Sequence, residues 1–330
     1  MRRLSISASV GLAAAAVIAA TLGVMLHLVF GTTEEVMRRD REAQMRSVGQ
    51  ALGQALDQAG RFALAQAETM VRRQAVQAAL AKGDRAELLR LSVGTYDYLR
   101  NQTGVTVFGY HTPDLRYFLR VHRPDDAIDD ISKARPMVLA ANKTRRSQMG
   151  LEIGVTGIVS MRGIAVVQAG DAFLGTMEVG LDPEPIIQQV KTVTNADVAV
   201  VLGQSLAGLS GAGKGRGGGE VIGDLVISDS TDDARFAALA RAGTIRLARE
   251  AEVREIRQDG VASTMLIQPL VDFSGRMVGD LVAVKSFPDQ RALSQQVRTE
   301  LTVTALVGGI LAFVLFTILA GLRARPETEA

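Results

Sequence analysis

Phe118-Leu119-Arg120-Val121-His122-Arg123-Pro124 is the run on which the reading of this 330-residue chain turns. It belongs to a longer stretch, 105–180, that passes through Asp129-Asp130, Gly150-Leu151-Glu152-Ile153-Gly154 and Arg162-Gly163. The stretch closes at Gly175-Thr176-Met177-Glu178-Val179-Gly180. Its segments have the texture of strands, with charge on one side and apolar groups on the other. Side chains alternate along a strand with period two, so Phe118, Arg120 and His122 are expected on one face, and Leu119 and Val121 on the opposite face. A half-buried sheet with cations on its open face is a candidate ligand floor.

Around that run the spacing predicts a hairpin of strands 105–110 and 117–121 about the turn His111-Thr112-Pro113-Asp114. A helix is expected over 130–145, with Pro136 near its start. Strands 164–167 and 174–179 join at Gly170-Asp171, and a short helix follows over 182–192, headed by Pro183 and Pro185. A second round of similar shape begins at Asp197. It has a strand at 198–202, a glycine-rich loop at 203–219, a strand at 221–227 and a helix at 233–242. A hairpin of 254–258 and 261–268 turns at Asp259-Gly260. A turn at Ser274-Gly275 then leads to a last strand, 281–285. Strand, helix and strands, twice over, give an α+β fold with two lobes in series rather than one doubly wound sheet.

Both flanks carry long apolar runs. Arg2 and Arg3 precede 10–30, about the 20 residues that span a bilayer. An uncleaved anchor fits this run better than a cleaved signal peptide, because it exceeds a typical signal core and a second run waits at 301–322. Arg323 and Arg325 follow that second run, and the positive-inside rule then puts both ends in the cytoplasm. Between the anchor and the first lobe, 32–80 reads as one proline-free helix. Its thin apolar stripe, Val48, Leu52, Ala55, Ala59, Ala63, Ala67 and Met70, is typical of a helix pairing with a partner. Gly83 is its expected C-cap. Asp84 and Glu87 have capping-box spacing for a further helix closed by Gly104.

Composition excludes several chemistries. Without cysteine there is no disulfide, thiolate metal site or thiol nucleophile. His27, His111 and His122 lack metal-ligand spacing. A formal net charge of +2 with 4% aromatics gives no nucleic-acid footprint. Gly208-Leu209-Ser210-Gly211-Ala212-Gly213-Lys214-Gly215 approaches a phosphate loop, but Gly215 stands where a magnesium-holding Ser or Thr belongs. It reads as a surface loop. The charges of the central stretch leave two readings open. One is a structural ion-pair network. The other is a pocket whose arginines grip a carboxylate or phosphate.

The run Phe118-Leu119-Arg120-x-His122-x-Pro124, with Asp129-Asp130-Ile131, Asn142, Gly150-Leu151-Glu152-x-Gly154, Arg162-Gly163 and Gly175-x-x-Glu178-x-Gly180, resembles the double Cache sensor domains of bacterial chemoreceptors, histidine kinases and diguanylate cyclases. Pro269-Leu270-x-Asp272-x-Ser274-Gly275-x-x-x-Gly279 looks like the closing hairpin of a Cache lobe. The resemblance covers about 32–287. It implies a long N-terminal helix and two tandem PAS-like Cache lobes with antiparallel sheets, flanked by two transmembrane helices. The implied segments are a cytoplasmic 1–9, a first span 10–30, a long helix 32–82, a membrane-distal lobe 84–192 and a membrane-proximal lobe 193–288. An exit helix 289–300, a second span 301–322 and a cytoplasmic tail 323–330 complete them. It further implies a two-pass protein of the inner membrane with its large domain in the periplasm. A small-molecule ligand, with an anionic group as one option, would sit in the distal lobe, and dimers would form along the long helices. The candidate ligand-binding residues are Arg120, His122, Arg135, Glu152, Arg162, Glu178 and Tyr110. No cofactor, metal, catalytic residue or nucleic acid is expected. The charged ending 323–330 has the look of a terminus. A signal would then pass in trans to a membrane partner, with Gly308-Gly309 and Gly321 as small packing faces. The alternatives are an adaptor subunit whose lobes bind protein, or a fragment of a chemoreceptor.

Overall fold

Helix α1 (Ile6–Val71) opens the computed structural model, which describes residues 6–154, 158–205, 219–258 and 260–323. Contacts gather the chain into two compact units, Met1–Ala43 with Phe287–Ala330, and Gln44–Ser286. Within the second unit, α1 buries Met45, Val48, Leu52, Leu56, Ala59, Ala63, Ala67 and Met70. Steps of three and four residues put these on one face. That face lies on the chain's own sheets. A Cβ on Gly163 would overlap the backbone of Ala63 and Leu64, and one on Gly49 would run into the side chains of Leu266 and Gln268. The thin stripe expected to pair with a second copy is therefore spent inside the chain.

The single helix expected over 32–80 is interrupted. At Arg73 the backbone is extended, and helix α2 (Gln74–Ala81) follows. Arg73 donates to the Leu91 carbonyl at 3.1 Å, and Gln77 to the Val71 carbonyl across the break at 2.9 Å, so one tertiary and one local bond fix a break that no proline or glycine announces. Asp84 accepts from the Glu87 amide at 3.0 Å and caps helix α3 (Arg85–Thr103). Gly83 and Gly104 take the left-handed conformation at the two helix ends, as their positions foretold.

The first sheet contains β1 (Val105–His111), β2 (Arg116–Arg120), β3 (Asp129–Asp130), β4 (Gln148–Ile153), β5 (Val159–Ala169) and β6 (Ala172–Leu181), with helix α4 (Pro136–Thr144) between β3 and β4. Its order is β3-β2-β1-β6-β5-β4, every neighbour antiparallel. Strands β3 and β4 are additions to the sequence reading, and the expected helix 130–145 shrinks to the part that Pro136 starts. Helix α5 (Pro183–Thr194) leads to the second sheet. There β7 (Asp197–Gly203), β8 (Glu220–Ile222), β9 (Leu225–Ser230), β10 (Glu252–Gln258), β11 (Val261–Val271) and β12 (Met277–Ser286) accompany helix α6 (Asp233–Arg241). The order is β10-β11-β12-β7-β9-β8. The strand expected over 221–227 is two strands, because Gly223 turns the chain at positive φ. The phosphate-loop look-alike at 208–215 lies outside the described residues.

Both sheets follow one plan. The first strand of each is central, with the last strand on one side and short early strands on the other. The register repeats as well: Glu178 of β6 stands opposite Gly109, and Asp280 of β12 opposite Val201, the fifth residue of β1 and of β7. One face of the first sheet packs Phe108, Tyr110, Leu119, Ala165, Val167, Met177 and Val179 against α1, α2 and α3. On the opposite face, Tyr117 and Ile164 meet Ile131 and the α4 residues Met137, Val138 and Ala141. The second sheet packs Met265, Ile267, Val282 and Val284 against Phe236 and Leu239 of α6.

In the other unit, α1 and helix α7 (Pro288–Arg323) lie side by side. Gln290 bonds Asp40 at 2.6 Å, Ser294 bonds Glu34 at 3.4 Å, and the Arg298 guanidinium sits 5.4 Å from the Phe30 ring centre. Farther along, a Cβ on Gly309 would be 3.9 Å from Leu22. Partners that fall in α1 as they rise in α7 make the two helices antiparallel. Each carries a segment long and apolar enough to cross a membrane.

Candidate functional site

A cleft of about 240 Å³ opens on the α4 side of the first sheet. Strand parity decides which side chains reach it. Cross-strand partners share a face, so Gly150, Arg162, Gly180 and Val107 form one row, and Ile164, Glu178, Gly109 and Arg120 another. A bulge in the β1–β2 pairing at Tyr110/His111 brings Tyr117 to the same face as Arg120. Phe118 instead packs against the helix-side core, so it does not share the face of Arg120.

Glu178 is the centre. It is fully buried, and Arg135, Arg162 and the Tyr117 hydroxyl all donate to it, Arg162 at 3.0 Å. Glu152 accepts from Arg135 Nε at 2.7 Å and from the Met137 amide at 3.1 Å. His111 Nε2 lies 3.5 Å from Glu178, and its Nδ1 pairs with Thr176 at 3.0 Å. Burial opposes ionisation of Glu178, but Arg135 and Arg162 outweigh it and hold the carboxyl well below its usual range. The reverse balance raises Arg135: burial opposes its charge, and Glu178 and Glu152 overcome it. Burial lowers His111, which is therefore neutral, and raises Tyr117, with Glu178 adding to the effect. Two buried arginines thus face two buried glutamates, and their charges cancel.

At the rim, Arg120 stacks on the Tyr117 ring at 3.8 Å and meets Asp129 at 2.7 Å and the Ala127 carbonyl at 3.2 Å. Arg85 holds the next part of the rim through the carbonyls of Pro124 and Asp126, at 2.6 and 2.7 Å. His122 lies beyond the end of β2, its Nδ1 against the Phe108 backbone, and burial lowers its pKa. The structure therefore gathers Arg120, His122, Arg135, Arg162 and Glu178 at the cleft, with Glu152 directly behind. Tyr110 is a correction. It points to the helix-side core, bonds Ser92 at 2.9 Å, and has its hydroxyl pushed up to about 12 by burial.

The sequence reading passed over Asp182. This half-buried cleft residue accepts from the hydroxyls of Thr106 at 2.8 Å and Ser160 at 3.4 Å, and burial raises its pKa. No arginine or lysine among the described residues forms an ion pair with it. Its signal in the sequence is only that of an acid before Pro183, which is also what a helix N-cap gives.

A family profile described as the double sensory domain of two-component sensor kinases, dCache_3, matches residues 39–287. The chain belongs to this double Cache family. Among solved structures, the chain is similar to the extracellular domain of a protein described as a histidine kinase, vpHK1S-Z8. That match has 14% identity and a TM-score of 0.47 over 79% of this chain and 98% of that one. The Campylobacter jejuni chemoreceptor Tlp3 ligand-binding domain, solved with L-valine, matches at 8% identity and TM-score 0.46 over 79% and 97%. The Vibrio cholerae histidine kinase DctB sensor domain matches at 9% and 0.45 over 77% and 98%. No curated protein matches. As in other double Cache proteins, the two lobes here make a ligand-binding module of a signalling protein, flanked by two candidate spans.

Proposed function

We propose that this chain is a membrane-anchored sensor whose first-lobe cleft takes a small molecule carrying a cationic amino group. Asp182 carries the reading. Arg135 and Arg162 are matched by Glu152 and Glu178, and Arg120 by Asp129, while Asp182, half-buried in the cleft and within the field of Arg162, has hydroxyl partners and no ion pair among the described residues. An ammonium seated there completes a pair and offsets the desolvation that now raises Asp182. The expectation that an arginine grips an anion finds less support, since each would first have to leave a carboxylate. The adaptor reading is disfavoured by the open cleft itself. The antiparallel contacts of α1 and α7 support a two-pass arrangement with Gln44–Ser286 in the periplasm. The signal leaves by α7, where a Cβ added to Gly308 would meet nothing within 4 Å, which leaves room for the span of a membrane partner.

The test is a thermal-shift screen of the full chain in detergent, with primary amines and amino acids in one arm and dicarboxylates in the other. Amines raise the melting temperature, and Asp182→Asn removes the shift. Binding weakens as pH falls through the raised Asp182 pKa, because protonation removes the partner charge. A response to dicarboxylates alone, unchanged in Asp182→Asn, overturns the amine reading.

A further inference from the structure

The tip of the β11–β12 hairpin belongs to the second sheet by sequence, yet it is built into the first. Asp272 organises the tip: its carboxylate accepts from the amides of Ser274 at 2.9 Å and Arg276 at 3.1 Å, and from the Arg276 guanidinium at 3.0 Å. Gly275 closes the turn at positive φ, donating to the Asp272 carbonyl at 2.9 Å. This stiff turn presents Phe273. The Phe273 amide donates to the Leu151 carbonyl of β4 at 2.7 Å, a bond between the two lobes. Its ring packs against the cluster of Tyr117, Ile131, Met137, Val138, Ala141 and Ile164. Gly150 makes the room: a Cβ there would lie 3.3 Å from Phe273 Cδ2.

The cluster under Phe273 is also the back wall of the cleft. The Tyr117 hydroxyl donates to Glu178, the Met137 amide donates to Glu152, and Ile164 stands beside Glu178 in the sheet. Glu152 is the residue after Leu151. Any rearrangement of the Arg135–Arg162–Glu152–Glu178 group therefore moves atoms that Phe273 touches. Close-packed interiors pass such shifts on rather than absorb them. From the tip, β12 runs the length of the second sheet to Ser286, where the chain enters α7.

We infer that Phe273 is the coupling element between the lobes: it transmits the state of the first-lobe cleft to β12 of the second. The inference rests on the sensor reading but not on the ligand class, and its test uses no ligand. Tyr117→Phe removes one donor from Glu178 while keeping the ring against the cluster, and so perturbs the cleft from within. Hydrogen exchange of the full chain in nanodiscs is read at 277–286 for the parent, Tyr117→Phe, Phe273→Ala and the double variant. Tyr117→Phe is expected to change exchange there by about threefold to tenfold, the range of coupling between packed sites, and to have no further effect on top of Phe273→Ala. Phe273→Leu, which keeps the amide bond and an apolar side chain, serves where Phe273→Ala unfolds the tip; it should lose part of the response. An unchanged β12 in Tyr117→Phe, or an equal response with and without Phe273, overturns the coupling. The amine reading fails separately, in the melting screen.

Discussion

Glu178 and Asp280 are two buried acids with opposite consequences. Replacing Glu178 with Gln leaves Arg135 and Arg162 buried against a neutral amide. The cost is about 3–5 kcal/mol in chemical denaturation near neutral pH, the range for breaking a buried pair. Because its folded pKa is depressed, Glu178 stabilises above the unfolded carboxylate pKa, and that stability is lost as pH falls toward the folded value. Among the described residues Asp280 has only the Ala248 amide, at 3.0 Å, and an unpartnered Oδ1, and burial pushes its carboxyl up to about 6. Its sign is reversed: the folded state holds the proton more tightly, so stability falls as pH rises from the unfolded pKa through about 6. Asp280→Asn keeps an acceptor for Ala248 and removes that penalty. It should stabilise by on the order of 2 kcal/mol near pH 7.5 and have little effect near pH 4, measured as denaturation midpoints. At this scale the sequence was legible in part. The charged run named five of the groups at the cleft and Glu152 behind it. It put Phe118 on the face of Arg120, where Tyr117 stands, because the bulge at Tyr110/His111, which resets the parity of β2, leaves no mark in the residues; Tyr110, opposite Leu119, faces the helix-side core by plain alternation. It missed Asp182 because nothing local says that an acid will lack a cation.

Among the elements, α1 was readable as a helix and misleading as a surface. Its thin stripe suggested a partner helix, but small residues at Ala59, Ala63 and Ala67 serve a close approach to β5 instead. Gly163 is the matching position on the strand. Gly163→Ala would drive a methyl group into the Ala63–Leu64 backbone, which cannot move without lifting the helix. The expected loss is several kcal/mol, about the upper range for overpacking, read as a fall in melting temperature. Gly53→Ala, with no neighbour within 4 Å of the new methyl, should be neutral or stabilising as a control. Caps and turns were legible because they are local: Asp84 with Glu87, Gly83 and Gly104 act through their own backbone. The break at Arg73 and edge strands β3 and β4 were not, because they depend on tertiary partners.

For the whole molecule, the proposed two-pass arrangement predicts that the start of α1 and the end of α7, which run antiparallel, lie on one side of a bilayer. The absence of cysteine makes this simple to check. A single cysteine at Gln58, exposed on α1, should react with a membrane-impermeant maleimide in intact spheroplasts. One at Ser5 should react only after permeabilisation. Labelling of both, or of neither, in intact spheroplasts would contradict the two-pass arrangement. The strand plan shared by the two sheets has a further consequence. Glu178 and Asp280 occupy one position in one register, opposite the fifth residue of the opening strand. One strand plan thus serves two kinds of chemistry: in the first lobe the position holds a carboxylate paired with two arginines beside a cleft, and in the second it holds a carboxylate whose one hydrogen bond among the described residues comes from the Ala248 amide.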